Sequence, residues 1–368
     1  MSDPARTQFS PDYVVPPGET LRETIEALAM TQAELAERTS RPKKTINEIV
    51  KGKAAITTET AIQFERVLGV PARIWNSLEM NYQERLARLE EQMRLEEDIA
   101  WLNTIPWRKL AEYGLIEAKE RKIEILAHVL NFFGVASRQA WESYWLSVHA
   151  GCSFKESKAF RSNPGAVAAW LRIGELRARG IECAPYDASE FRKTLKCIRK
   201  LTTKDPDVFQ PLLEEWCANC GVAVVFFPEL PKTRLCGATR WLNPRKALLQ
   251  LSLRYKTDDQ LWFTFFHEAV HILKHRKLEL YLEDPEVDEM SHEEREADAI
   301  SENILISNRE FKEFVSKGIY SNNSIKKFAR ESGISPGIVV GRLQHYGVIP
   351  YKSGNHLKRK LKFVLDKV

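Results

Sequence analysis

The densest chemistry in the 368-residue chain lies at His267-Glu268-Ala269-Val270-His271, an H-E-x-x-H pattern. On a helix, residues four apart lie one above the other, so both imidazoles can reach one zinc ion. Glu268 projects one residue further round, where it can take a proton from a water activated by the metal. The residues leading in, Leu261, Trp262, Phe263, Phe265 and Phe266, are apolar on nearly every side, the mark of a buried helix. Burying two histidines and a glutamate there is costly unless something pairs with them, and a metal supplies the pairing.

A catalytic zinc needs a third protein ligand and one open position. His275 stands one turn further along the same helix, whereas a closing ligand normally comes from a second element. Glu293-Glu294-Arg295-Glu296-Ala297-Asp298 begins such an element, with Glu294 and Asp298 on one of its faces. Glu294 is the expected third ligand, and Asp298 either holds the far nitrogen of a histidine or is a plain surface carboxylate. Glu296 is the rival ligand and His292 a weaker one. Structural zinc sites usually fill all four positions with Cys and His, so this donor set favours catalysis.

These groups need a framework. Helical pattern begins at Asp258 and continues, with breaks, to about Gln344. Ahead of it, Val222 to Phe227 and Ala247 to Leu253 are β-rich runs, separated by the turn-prone Pro228, Pro231, Gly237 and Pro244. The region from 107 to 218 reads as mostly helical, as in Glu117 to Phe133 and Gly165 to Arg179. The expected fold is mainly α with a small β-sheet, an α+β class.

A second constellation sits near the N-terminus. Thr20 to Leu28 reads as one helix, and Thr31 with Glu34 forms a capping box for the next. A third opens near Pro42 and stops at Gly52, and a fourth is capped by Thr57 or Thr58 and ends at Gly69. Two helices joined by a turn of about three residues can offer the second to the DNA major groove. That helix carries Lys43, Lys44, Thr45 and Asn47, while Leu35, Ala36, Ile46 and Ile49 supply a core. Asn47 can pair with adenine and the lysines can reach guanine. Gln32 is placed for a phosphate or a base edge, and Lys51 and Lys53 suit phosphate. Arg41 completes the candidate DNA-binding set. Between Arg38 and Lys53 stand six basic residues and one acid, and the tail from Lys352 to Lys362 is also basic. Further on, Leu78, Tyr82, Leu86, Leu89 and Met93 form a narrow apolar seam, suited either to a second copy or to the next domain.

Composition narrows the remaining classes. With 43% apolar and 29% charged residues the chain suits a globular protein with a sizeable core. No apolar run approaches the ~18 residues of a membrane span, and Met1-Ser2-Asp3-Pro4 lacks the basic start of a secretory signal, so a cytoplasmic protein without a membrane partner is expected. Cys217 and Cys220 make a lone C-x-x-C with no second pair to complete a site, and read as buried helix-face residues.

The residues of both constellations resemble known families. Pro17-Gly18-Glu19-Thr20-Leu21, Thr31-Gln32-Ala33-Glu34-Leu35-Ala36, Thr45-Ile46-Asn47-Glu48-Ile49, Lys51-Gly52-Lys53 and Thr60-Ala61 are similar to the XRE-type helix-turn-helix of HigA-like antitoxins, over residues 15 to 82. One departure is Ser40, where that family usually has a turn glycine. The resemblance implies binding to double-stranded DNA as a homodimer at a palindrome.

Lys256-Thr257-Asp258-Asp259, Trp262 to His271, Glu294 to Asp298 and Gly333 to Leu343 resemble the ImmA/IrrE family of zinc metallopeptidases, over about 215 to 350. Val270 stands where that family often has glycine, and Ile300-Ser301 replaces a common Phe-Ala. The resemblance implies a zincin-like, gluzincin-type endopeptidase that cleaves a repressor or antitoxin-like protein. It also implies strand addition by an extended substrate, for which Ala247 to Leu253 is the candidate, an ordinary buried strand being the equal alternative, and Tyr255 is a candidate to assist the oxyanion. The alternative is an antitoxin or transcriptional repressor whose peptidase-like domain only senses or binds a partner.

The expected division is therefore a disordered lead-in over 1–14, a helix-turn-helix domain over 15–78, a helical linker over 79–106 and a helical region over 107–215. A peptidase domain over 216–350 and a basic tail over 351–368 complete it.

Overall fold

The first helices are written in their caps. In a computed structural model, which describes residues 15–146, 163–275, 281–283 and 292–364, α1 (Pro17–Ala27) opens on a proline at its first position. The Thr31 hydroxyl accepts the Glu34 amide at 3.1 Å to start α2 (Gln32–Arg38). The other half of the expected capping box is redirected, because the Glu34 carboxylate pairs with Arg38 one turn on. α3 (Lys43–Val50) follows a turn in which Ser40 has φ +54°, the strained left-handed region anticipated for a non-glycine there. Thr57 caps α4 (Thr58–Leu68), and Gly69 closes it at φ +76°.

Leu21, Ile25, Leu35, Ile46, Ile49, Phe64 and Trp75 close one core around these helices. Gly18 lets α1 lie against α3, since a Cβ there would meet the Ile49 carbonyl at 2.2 Å. α5 (Ala72–Asp98) is a single helix whose one fully buried residue is Trp75, and Leu89 and Met93 of the apolar seam are exposed. The chain divides after Asp98 into two compact units. The lead-in over 1–14 lies outside the described residues.

The second unit begins with a short 3-10 segment, Ile99–Thr104, and continues through α6 (Trp107–Glu112), α7 (Lys122–Phe133), α8 (Arg138–Trp141) and α9 (Pro164–Arg179). Then come α10 (Ala188–Ile198) and α11 (Pro206–Ala218), followed by strands β1 (Val222–Phe226), β2 (Gly237–Asn243) and β3 (Lys246–Leu251). After α12 (Asp258–Lys274) a short β4 (Tyr281–Glu283) completes a sheet of order β1-β3-β2-β4. β1 runs parallel to β3, and β2 is antiparallel to both β3 and β4. The unit ends in α13 (His292–Leu305), α14 (Asn308–Ser316), α15 (Asn322–Ser332) and α16 (Pro336–His345). The architecture is α+β, mainly helical with one small sheet.

The sheet is covered on both faces, which explains why its strands read as continuous apolar runs. Val222, Val224, Ala247, Leu249 and Leu251 join the large core containing Trp262, Phe265, Phe266 and Ala269 of α12. Their alternates Ala223, Val225 and Leu248 cluster with Ala178 of α9. Gln250 points the same way as these alternates, and its amide donates to the Trp170 carbonyl at 2.8 Å. Among the described residues no helix is long and apolar enough to cross a membrane.

Candidate metal centre

α12 is held at its N-terminus before it presents the motif. Asp258 and Asp259 occupy the first turn, where a carboxylate complements the helix dipole, yet both are buried. Asp258 accepts from the Ser335 hydroxyl and from the Arg359 amide at 2.9 Å, while Asp259 pairs with Lys358 at 2.6 Å. One cation of the basic tail, Lys358, is thus engaged with a buried acid, while Arg359 pairs at the surface with the exposed Asp205 at 3.5 Å. Basic composition alone reads as nucleic-acid contact for the run from Lys352 to Lys362, whereas Lys358 is committed to Asp259. Gly337 and Gly341 admit the two aspartates, because a Cβ at either would stand 2.3 Å from Asp258 Oδ1 or 2.6 Å from Asp259 Oδ2.

Two turns further on, His267 and His271 are both 2% exposed and Glu268 is fully buried. His267 Nε2 lies 2.9 Å from His271 Nε2 and 2.9 Å from Glu294 Oε2, and His271 Nε2 lies 3.5 Å from Glu294 Oε1. Ligand atoms of the three residues all fall within 4.8 Å of one another. Donors held tetrahedrally at about 2.0–2.1 Å from a zinc ion would be roughly 3.3 Å apart, so the triangle has nearly the required edge.

Its hydrogen-bond chemistry also calls for a cation. Asp298 Oδ1 stands 2.8 Å from His267 Nδ1 and Glu294 Oε2 stands 2.9 Å from Nε2, and an ionised carboxylate can only accept, so the Nε2 side needs either a proton or a metal ion between ring and carboxylate. With Asp298 holding the Nδ1 proton, a metal ion can replace the proton on Nε2 and satisfy the carboxylate and both imidazole nitrogens at once. Burial alone would raise the Glu294 carboxyl, but the two imidazoles bring it down to about 2. Burial, above all, pushes the His271 imidazole below its ordinary range, toward the neutral form a metal needs.

The rival ligands are placed elsewhere. Glu296 reaches His275 Nε2 at 3.4 Å and Lys274 at 3.8 Å, outside the cluster. His292 is exposed at the start of α13. His275 stands behind His271, Nδ1 to Nδ1 at 2.8 Å, because a residue four positions on packs against the far edge of that ring. Among the described residues no cysteine joins a metal-type cluster. Cys217 and Cys220 are buried, and burial pushes the Cys217 thiol well up. The departures at 270 and 301 are accommodated: Val270 is fully buried, and the Ser301 hydroxyl donates to the Ala297 carbonyl at 2.5 Å.

Strand β2 was missed because Gly237 and Pro244 read as turn residues, although Thr239 and Trp241 carry an alternating β signal. It matters to the site. A Cβ at Gly237 would stand 2.9 Å from Glu268 Cγ and Oε1, and the Thr239 hydroxyl donates to the Glu268 carbonyl at 3.3 Å. Of the two readings of Ala247 to Leu253, strand addition is corrected and the ordinary buried strand holds. β3 has β1 on one edge and β2 on the other, so its backbone groups are already paired. Tyr255 is on the loop after β3, 44% exposed, with the Arg254 guanidinium over its ring.

In the first unit Lys43, Lys44, Lys51 and Lys53 are exposed, and Gln32, Thr45 and Asn47 are half-buried. Lys44 and Asn47 lie on the side of α3 opposite the buried Ile46 and Ile49, and Lys43 lies at its flank in the first turn. Arg41 departs from the set. Its guanidinium turns back onto α4, bonding Gln63 at 2.5 Å and pairing with Glu59 at 3.4 Å, so it braces the turn and presents no free cation.

Residues 21–75 match the helix-turn-helix family model, and residues 229–344 match the model of the IrrE N-terminal-like domain, a metallopeptidase-type family. The chain therefore joins an XRE-type DNA-binding domain to a peptidase-like domain of a generally metal-dependent kind. Three solved structures are similar to the N-terminal part at 26% identity, each over 23% of this chain with a TM-score of 0.22. They are an addiction module antidote protein of a HigA family from Coxiella burnetii (92% of that chain), a putative antidote protein of a plasmid maintenance system from Nostoc punctiforme (92%), and the Pseudomonas aeruginosa antitoxin HigA with the higBA promoter (95%). A comparison with curated proteins finds no match.

Proposed function

We propose that the protein is a cytoplasmic, homodimeric DNA-binding regulator with zinc-dependent endopeptidase activity against a repressor or antitoxin-like protein. The observation that carries this is the convergence of His267, His271 and Glu294 on one small triangle of ligand atoms, next along the helix to the buried carboxylate of Glu268. His267, His271 and Glu294 would hold the ion, with Asp298 orienting His267. Zinc supplies Lewis-acid activation to a water and to the scissile carbonyl. Glu268 takes the proton as the water oxygen bonds to the carbonyl carbon, then returns it to the amide nitrogen as the C–N bond breaks. Asn47, Thr45, Lys43, Lys44 and Gln32 read or position the DNA, while Lys51 and Lys53 hold phosphates.

The test pairs metal content with cleavage. Wild type and Glu268→Gln should both carry one zinc per chain, and cleavage of a co-encoded repressor or antitoxin should fall by roughly 10²–10⁴ in the variant. Full zinc loading without cleavage by the wild type would instead assign the domain to sensing or partner binding.

A further inference from the structure

Behind one of the candidate ligands lies a second imidazole. His275 caps the end of α12, its amide bonded to the His271 carbonyl at 3.0 Å, and its ring meets the His271 ring with centroids 4.8 Å apart. Its side chain is 6% exposed. His271 Nδ1 faces His275 Nδ1 at 2.8 Å, and His275 Nε2 faces Glu296 Oε2 at 3.4 Å. The Nδ1 of His267 meets a carboxylate directly, whereas the Nδ1 of His271 meets the His275 ring, which in turn faces a carboxylate.

Of two nitrogens in such a contact, one carries the proton and the other accepts it. If His275 donated, its Nε2 lone pair would face the Glu296 carboxylate, and His271 would carry its proton on Nε2, pointing into the metal triangle. If His271 donates, His275 carries its proton on Nε2 and presents it to Glu296, and His271 Nε2 is left with a lone pair. The carboxylate of Glu296 favours the second arrangement, which is the one a metal ion needs.

Resting on the metal reading above, we propose that His275 and Glu296 form a positioning relay that fixes the tautomer and ring orientation of His271 for metal binding. Neither residue touches the ion or the substrate. The same geometry explains why two candidate ligands of the sequence lie outside the cluster: they hold a ligand from behind.

The experiment uses the full chain, with zinc affinity measured by competition against a chelator, cobalt(II) visible spectra, and thermal melting of the metal-free protein. His275→Ala should weaken zinc binding by roughly 10–100-fold and broaden or weaken the cobalt bands. His275→Asn places an accepting oxygen near the position of Nδ1, so it should restore most of the affinity. Glu296→Gln, which removes the charge that selects the tautomer, should give a smaller loss.

Zinc binding by His275→Ala as tight as wild type would overturn the relay, as would an Asn variant no better than Ala. Should the Ala variant fail to melt cooperatively, the comparison of Asn and Glu296→Gln with wild type decides. In that comparison, a Glu296→Gln variant with wild-type affinity and spectrum counts against the relay. A wild-type protein that binds no zinc would remove the metal reading itself, a separate outcome.

Discussion

Gly237 is the residue on which the packing of β2 against Glu268 turns. Its missing side chain lets β2 lie against α12 with no room for a methyl group, which would stand 2.7 Å from Thr264 Cγ2 and 2.9 Å from Glu268. Gly237→Ala is expected to displace the Glu268 carboxylate and lower any peptidase activity by at least about tenfold, with zinc content unchanged. Overpacking of this kind costs roughly 1–3 kcal/mol, so denaturant unfolding should show a moderate loss of stability beside the larger loss of turnover. Glu294 governs the response to acid. Its folded pKa of about 2 lies below the ordinary 4.5, so its ionised form contributes stability that is present above about 4.5 and lost as pH falls toward 2. Denaturant midpoints of the metal-free protein should decline across that window, and Glu294→Gln should flatten part of the decline.

At the scale of elements, α12 works because it is gripped before the motif begins. Asp258 and Asp259 bind Ser335, the Arg359 amide and Lys358, and the chain near Lys360 pairs with Thr257 in a β-bridge. α16 can come this close only where it lacks side chains, at Gly337 and Gly341. Gly337→Ala gains helix propensity, about 1 kcal/mol in an exposed helix, but drives a methyl group into the Asp258 carboxylate. The clash is expected to win, lowering stability by roughly 1–3 kcal/mol in equilibrium unfolding. An unchanged or higher midpoint would mean that α16 shifts without cost.

At the scale of the molecule, the two units carry separate cores. One draws on residues between Leu21 and Leu78, the other on residues between Tyr186 and Leu361. Substitutions that leave one core intact should leave its site intact. Lys43→Ala/Asn47→Ala is expected to abolish operator-specific DNA binding with zinc content unchanged. Lys51→Ala/Lys53→Ala should weaken binding to all sequences and reduce the slope of log affinity against log salt by about 0.9 for each phosphate that is no longer neutralised. Normal promoter binding by the first pair would defeat the assignment of α3 as the reading helix.

Local order was legible wherever physics acts within a few residues. Caps at Thr31 and Thr57, the closing Gly69, the strained Ser40 and the i, i+4 spacing of His267 and His271 all follow from neighbours along the chain. So did the pairing of Glu294 and Asp298 on one helical face. Contacts between distant segments were not legible, because spacing along one helix says nothing about which ring edge a second helix approaches. Only the packing of α13 on α12 separated Glu294, at the triangle, from Glu296, behind His275. The sheet order likewise placed β3 in the interior and brought β2 against Glu268, and Lys358 of the tail found a buried acid, Asp259, far off in sequence. Residue type and spacing determined that a metal triangle and a DNA-reading helix were possible. Which groups line each site, and which merely support it, was decided by close packing, where a side chain's partner is whatever the tertiary fold sets within hydrogen-bond reach.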